Sequence, residues 1–369
     1  MIDPAESNLF VAWTDPTSAV TSYILQERVA PLQQSFYFVN ESMTRNGRYL
    51  WFYCAFPPSG SMDEGRSLGL VDFQEQQVHH FAETQFSSGS PWVDIETGEV
   101  YWCTVDAIWR RGPHGASECV NCLPEQVVQG RSIHRLATHL SRSSDGKRFF
   151  IDARVGLENV FGTLPVDGGD FELWSRIDRH VAHAQLCPTD SNLVLFAQER
   201  MADPITRATV SPVDRLWMLR RGEQARPVFD QPADVTHEWW DADGRHVWCV
   251  CDKVGIWRVN LQTQAVEEIA WPGSWHSHAD KSGRYLVGDA NERFYRGCPS
   301  TVHFLNRNTG KHLCFAAHLE MPGVAGARYH IDPHPRFCCA DRLVVYTTVV
   351  RGRVEVAMVK TEDLIDRTS

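Results

Sequence analysis

Hydrophobic and polar positions along this chain fall into short, regularly spaced blocks. Runs of β-branched and aromatic residues recur from one end to the other, each entered through a polar turn of the form Asp/Asn-Gly-Arg/Lys. Four copies are explicit: TRNGRYLWFYCAF from Thr44, SSDGKRFFIDARV from Ser143, DADGRHVWCVCDK from Asp241 and DKSGRYLVGDANE from Asp280. Three are degenerate: IETGEVYWCTVDA from Ile95, PTDSNLVLFAQER from Pro188 and CADRLVVYTTVVR from Cys339. Such turns need residues that tolerate positive φ, which makes Asn-Gly or Asp-Gly ahead of an apolar run a hairpin signal. With Gly47, Gly98, Gly146, Asp190, Gly244, Gly283 and Asp341 as markers, successive copies lie 39 to 58 residues apart, about 49 on average. A second hairpin-like unit, such as IWRVNLQTQAVEEIAW from Ile256, usually lies between markers. Four short strands per period, with almost no helical periodicity, predict an all-β chain: a seven-bladed β-propeller forming a single domain over 1–369. The segment LFVAWTDPTSAVTSYIL ahead of the first marker is expected to complete the last blade, so that the ring has no open edge.

The repeat also organises the candidate chemistry. Seven positions before the markers stand Asn40, Pro91, His139, His183, His237, His276 and His334, so five of the seven are histidine in a chain with 16 histidines among 369 residues. This offset falls near the start of the innermost strand of each blade, which faces the central channel. The expected result is a ring of imidazoles around one channel mouth. Strand alternation extends it, because residues two apart share a face: His330, Asp332 and His334 would point together in HIDPHP, as would His276 and His278 in WHSH, and Gln185 would join His183. Glu238, next to His237, would face away. Neutral imidazoles with a carboxylate form a donor set suited to Mn²⁺, Zn²⁺ or a similar divalent ion.

Charge and composition narrow the classes. A net charge of −10 argues against a broad basic nucleic-acid-binding field, while leaving room for an anionic ligand at a local cationic site. Neither a signal-like start nor an apolar run long enough to span a bilayer is present, so no membrane association and a cytoplasmic location are expected. Eleven cysteines without a disulfide-like spacing suggest free thiols, and the lone Cys119-x-x-Cys122 pair is a weak zinc signal. The 13 tryptophans suit sugar stacking as well as blade packing.

The succession HAQLCPTDSNLVLFAQE from His183, VDRLW from Val213, HEWWDADGRHVW from His237, WHSHADKSGRYLVGD from Trp275 and DPHPRF from Asp332 resembles oligogalacturonate lyases, polysaccharide lyase family twenty-two. The opening DPTSAVTSYILQERVAPLQQSFYFVNESMTRNGRYLWF is similar to that family's first blade, so the likeness runs over nearly the whole chain. It implies a seven-bladed propeller carrying out Mn²⁺-dependent β-elimination on short acidic uronate oligosaccharides in pectin breakdown. By position, it implies His237 as catalytic base and Arg215 as the active-site arginine, with His276 and His334 as metal ligands. Asp332 stands where the family has a histidine ligand and Tyr329 where it has glutamine, while His330 lies beside both. His139, His183, Gln185 and Asn40 would then line the same mouth and bind the sugar. Two other readings stay open: a propeller lyase or hydrolase for a different uronic-acid glycan, and a non-catalytic binding propeller. The sequence leaves the oligomeric state open.

Overall fold

The computed structural model describes residues 3–203, 205–251, 254–290, 300–319 and 328–369. Seven antiparallel sheets of four or five strands follow one another along the chain, with one extra two-stranded hairpin, Met201–Ala202 with Thr209–Val210. The first blade is Leu32–Gln34, Tyr49–Ala55, Arg66–Asp72 and Gln77–Phe86, ordered from the inside outward as in the chain. Later blades begin with the inner strands Trp92–Val93, Ile133–Arg135 together with Ser141–Arg142, Val181–Cys187, Val235–Trp240, Ser277–Ala279 and Arg336–Cys338. The molecule is a seven-bladed β-propeller, as the spacing of the turns predicts.

The repeated turn explains both the period and the blade packing. In the fifth blade Gly244 has φ +64°, and a Cβ there would come within 1.9 Å of Thr189 Oγ1 in the preceding blade, so glycine is required twice over. Asp241 of the same turn accepts from Trp248 Nε1 at 2.9 Å and Arg258 Nε at 2.8 Å, which ties the turn to the second and third strands of its blade. Trp51, Trp102 and Trp248 stand at matching places on second strands and are fully buried between blades. Blade packing accounts for these tryptophans.

Two strands, Thr21–Leu25 and Phe10–Thr14, add outside Glu355–Lys360 and make the last blade five-stranded. Tyr23 pairs with Met358 and Ile24 with Ala357. The helix Thr361–Thr368 then folds back, burying Leu364, while Arg367 donates to the carbonyls of Ser18 and Ala19. No helix among the described residues is long and apolar enough to cross a membrane.

Candidate metal centre and histidine chamber

The inner strands are not regular where the histidines sit. In the fourth blade Ala182 pairs with Ala197 and Gln185 with Leu195; in the fifth, Thr236 pairs with Val250 and Trp239 with Trp248. Between these pairs two residues on the inner strand oppose one on its neighbour, which is a β-bulge. His183 and His237 occupy these bulges at φ +60° and +49°. His330 and His334, in the connection leading to the last blade, are also left-handed, at φ +50° and +44°. Side chains with a Cβ adopt this region at a cost, and such positions gather at functional sites.

Other blades hold the same part of the inner strand differently, with a polar residue six positions after the marker. Asp152 accepts from Thr138 N at 2.7 Å and Thr138 Oγ1 at 2.6 Å. Asp289 accepts from His276 N at 2.9 Å, and Thr347 N donates to Pro333 O at 2.8 Å while its hydroxyl accepts from Ser35 N at 3.0 Å. In the bulged fourth and fifth blades the equivalent residues are the apolar Phe196 and Val250.

His276, His330, Asp332 and His334 converge, with one potential ligand atom from each lying within 4.8 Å of all the others. His330 Nε2 is 2.9 Å and His334 Nε2 3.8 Å from Asp332 Oδ2. His276 and Asp289 are fully buried, and His276 Nδ1 donates to Asp289 Oδ2 at 3.1 Å. This bond directs His276 Nε2 away from Asp289, and that nitrogen is buried without a hydrogen-bond partner, as is His334 Nε2. Two buried imidazole nitrogens without partners beside a carboxylate match what a divalent cation requires of protein donors. A carboxylate bonded to the far nitrogen of a ligating histidine is the usual outer support of such a site. Tyr329 stays out of the cluster: it is buried, and its hydroxyl donates to Ser59 O at 2.8 Å. Asp289 escaped the sequence reading, although its place six residues after Gly283, shared with Asp152 and Thr347, is a signal that could have found it.

His237 lies against this cluster, its ring 4.5 Å from His276 and 4.7 Å from Trp275, and neither ring nitrogen has a hydrogen-bond partner among the described residues. Burial, then the charges of His276 and Arg215, hold its pKa well below the ordinary histidine value, so it is neutral. Burial and the same neighbouring imidazoles do this to His334. For His276 burial acts downward too, but the Asp289 carboxylate outweighs it and the pKa is raised.

Arg215 lies near enough to His237 for its charge to act on that ring. Its Nη2 is 2.6 Å from Glu199 Oε1, and its Nη1 contacts Glu238 Oε2. The two carboxylates outweigh burial and raise its pKa. Glu238 therefore does not face away as alternation predicts: the bulge at His237 turns it onto Arg215, and burial notwithstanding, that guanidinium lowers its pKa.

Tyr37 and Phe38 plug the channel. Tyr37 packs on His139 at 4.9 Å, His334 at 4.8 Å and His330 at 5.8 Å, while Phe38 packs on His276 at 5.6 Å and Trp239 at 6.0 Å. Two cavities lie at opposite ends of the inner strands. One, of about 290 Å³, is lined by Gln34, Tyr37, Arg66, Arg135, His139, His183, His330 and His334. In it His139 Nδ1 donates to Gly89 O at 3.1 Å and His139 Nε2 is 3.2 Å from His183 Nδ1; burial lowers both pKa values.

The other cavity, of about 330 Å³, is lined by Asn40, Gln185, Trp239, Trp240, His278 and Arg336, with His139 reaching it as well. The expectation that Asn40 and Gln185 share the mouth of His183 is therefore corrected. Asn40 Nδ2 donates to the carbonyls of Gly89 and Pro91, each at 2.8 Å, and Gln185 Nε2 to Glu238 O at 3.1 Å, so both brace backbone. The bulge after Ala182 moves Gln185 off the face of His183. His278 likewise leaves His276 for this second cavity. Cys119 and Cys122 are free and exposed and line neither cavity.

No protein-family model matches the chain. A curated oligogalacturonate lyase from Dickeya dadantii (strain 3937) is 24% identical over 213 residues, covering 50% of this chain and 51% of that protein, so the chain spans about half the length of this relative. Among solved structures, an oligogalacturonate lyase in complex with manganese superimposes with a TM-score of 0.73 at 16% identity, covering 95% of this chain and 96% of that one. An oligogalacturonate lyase from Vibrio parahaemolyticus gives 0.74 at 17% identity, with the same coverage. The hydrazine synthase of Kuenenia stuttgartiensis shares the fold more loosely, at 0.53 and 12% identity over 90% of this chain. In sequence over half its length and in fold over nearly all of it, the chain resembles oligogalacturonate lyases.

Proposed function

We propose that this protein is an intracellular lyase that cleaves short oligogalacturonate-type uronates by metal-assisted β-elimination. The observation that carries this reading is the neutral, unpartnered His237 packed against a cluster of three histidines and one carboxylate, two of whose imidazole nitrogens are buried without partners. The relatives named above support the reaction class, and the one described in complex with manganese supports that metal.

His276, His330, Asp332 and His334 would hold the ion. When bound there, a divalent cation would clamp the uronate carboxylate and stabilise the charge that develops on it as the neighbouring proton leaves. His237 supplies the base: burial keeps it neutral, and a substrate carboxylate nearby would raise its proton affinity. The C5 proton passes to His237, its electron pair forms the C4=C5 double bond, the C4–O bond breaks, and the departing oxygen takes a proton. The product is a 4,5-unsaturated uronate. Arg215, engaged by both Glu199 and Glu238, works on the base in this scheme: its charge disfavours protonated His237 before substrate arrives. His139 and His183 line the sugar-binding space.

Asp332 in the cluster, where the resemblance implies histidine, and Tyr329 outside it, where the resemblance implies glutamine, favour a second reading in which the same chemistry acts on another uronic-acid glycan. The deciding experiment follows ultraviolet absorbance of unsaturated uronates while the protein meets oligogalacturonates, with Mn²⁺ and then with a chelator. A metal-dependent rise is expected. A flat trace with bound metal moves the reaction to another uronate, and a flat trace without metal leaves a binding propeller.

A further inference from the structure

Arg66 opens the third strand of the first blade, and its side chain lines the histidine chamber while only 6% of the residue is exposed. The guanidinium lies over the ring of Tyr53, at 4.6 Å, and of Phe86, at 5.2 Å, two rings that pack on each other at 5.0 Å. Its Nη2 donates to the carbonyls of Met62 and Ser88, each at 2.8 Å, and its Nε has no partner. Among the described residues no carboxylate reaches it: Asp63, the one acidic residue in the chamber wall, is exposed and outside ion-pair distance. The other arginines around this site are matched, Arg215 by Glu199 and Glu238, and Arg135 by Asp152 at 3.2 Å.

A buried cation without a counter-charge is costly unless something supplies one. Gln34 adds an unmatched acceptor in the same wall. Its Nε2 donates to the carbonyls of Tyr329 and His330 at 3.3 and 3.2 Å, and its buried Oε1 has no partner. The chamber, about 290 Å³, is at the small end of ligand pockets, and His330 and His334 carry it up to the metal cluster. The cluster and His237 account for the reacting ring, whereas the first blade gives no residue to that cluster.

We propose that Arg66 binds the carboxylate of the second uronate ring, the one that departs, while Gln34 accepts a hydroxyl of the same ring. The site therefore selects substrates with free carboxylates on two adjacent rings. A planar guanidinium fixed by stacking suits a carboxylate in a way that a lysine would not. This inference rests on the lyase reading above.

The test compares a 1,4-linked digalacturonate with the same disaccharide methyl-esterified on its non-reducing ring, using the wild-type protein, Arg66→Met and Arg66→Lys. The wild type should lose about 10- to 100-fold in kcat/KM on the ester. Arg66→Met should lose as much on the diacid and then treat the two substrates alike, with Arg66→Lys between. A wild type that turns over both equally, or an Arg66→Met that keeps the discrimination, overturns the proposal. Calorimetric binding of both disaccharides separates the two readings. Preference for the diacid that vanishes in Arg66→Met without any elimination would sink the lyase and keep the subsite, whereas no preference and no elimination would sink both. If Arg66→Met fails to fold by circular dichroism, the ester comparison on the wild type decides.

Discussion

The fifth and sixth blades each send a histidine to the same point of the channel by opposite means. His237 rides on a bulge, at positive φ, with no hydrogen-bond partner on its ring. His276 is fastened by Asp289, which accepts from both its backbone nitrogen and its Nδ1. The difference fits the roles proposed for the two groups. A metal ligand needs one nitrogen fixed as a lone pair, and a buried carboxylate on the other nitrogen does that. A base must be free to take a proton, and a partner on its ring would compete with the substrate. Val250, where the sixth blade has Asp289, is what leaves His237 unfastened.

The largest expected effect breaks the unfastened side. His237→Ala should lower the elimination rate by about 10²- to 10⁴-fold while elemental analysis finds the metal retained; loss of metal instead would merge the two roles. Next comes acid. His139 and His278, like His237, have pKa values lowered by burial, and His303 is pushed down to about 4, again by burial. Unfolded, each would titrate near the ordinary value, so below about pH 6.5 the unfolded chain binds more protons than the folded one. The chelated protein should therefore lose unfolding free energy as pH falls through that value, by about 1 kcal/mol per unit for each such histidine. His276, with its raised pKa, contributes with the opposite sign. Denaturant titrations at several pH values would show the slope, and a flat profile would contradict the burial argument.

Asp289→Asn tests the fastened side more narrowly. Losing this support should weaken Mn²⁺ binding about 10- to 100-fold, read by calorimetric titration, and unchanged affinity would remove Asp289 from the site. The smallest effect is expected at the matching position of the last blade. Thr347→Val removes the hydroxyl that accepts from Ser35 and should cost about 1 kcal/mol of stability by urea unfolding with Mn²⁺ affinity kept.

The sequence carries the architecture because the turns answer a local requirement, positive φ, which recurs at Gly47, Gly98, Gly146, Gly244, Gly283 and Asp341. The positions of His237, His276 and His334 follow from counting back from those turns. What fails is alternation. Period two holds only in a regular strand, and the bulges at His183 and His237 shift Gln185 and Glu238 to faces that counting does not reach. Asp289 and Arg66 escape for another reason: their meaning lies in partners on other strands, and the aromatic pair beside Arg66 exists only once Tyr53 and Phe86 have been brought together by the sheet.

The closing of the last blade sets a schedule for biosynthesis. Residues 10–25 leave the ribosome roughly 330 residues before Glu355–Lys360, the strand they pair with, is complete. At typical elongation rates they wait for tens of seconds with an open hydrogen-bonding edge. His334 precedes the last blade and Tyr37, which packs on it, follows the waiting hairpin. The proposed cation site, whose four donors all lie between residues 276 and 334, is thus covered by Tyr37 only when the two ends of the ring meet.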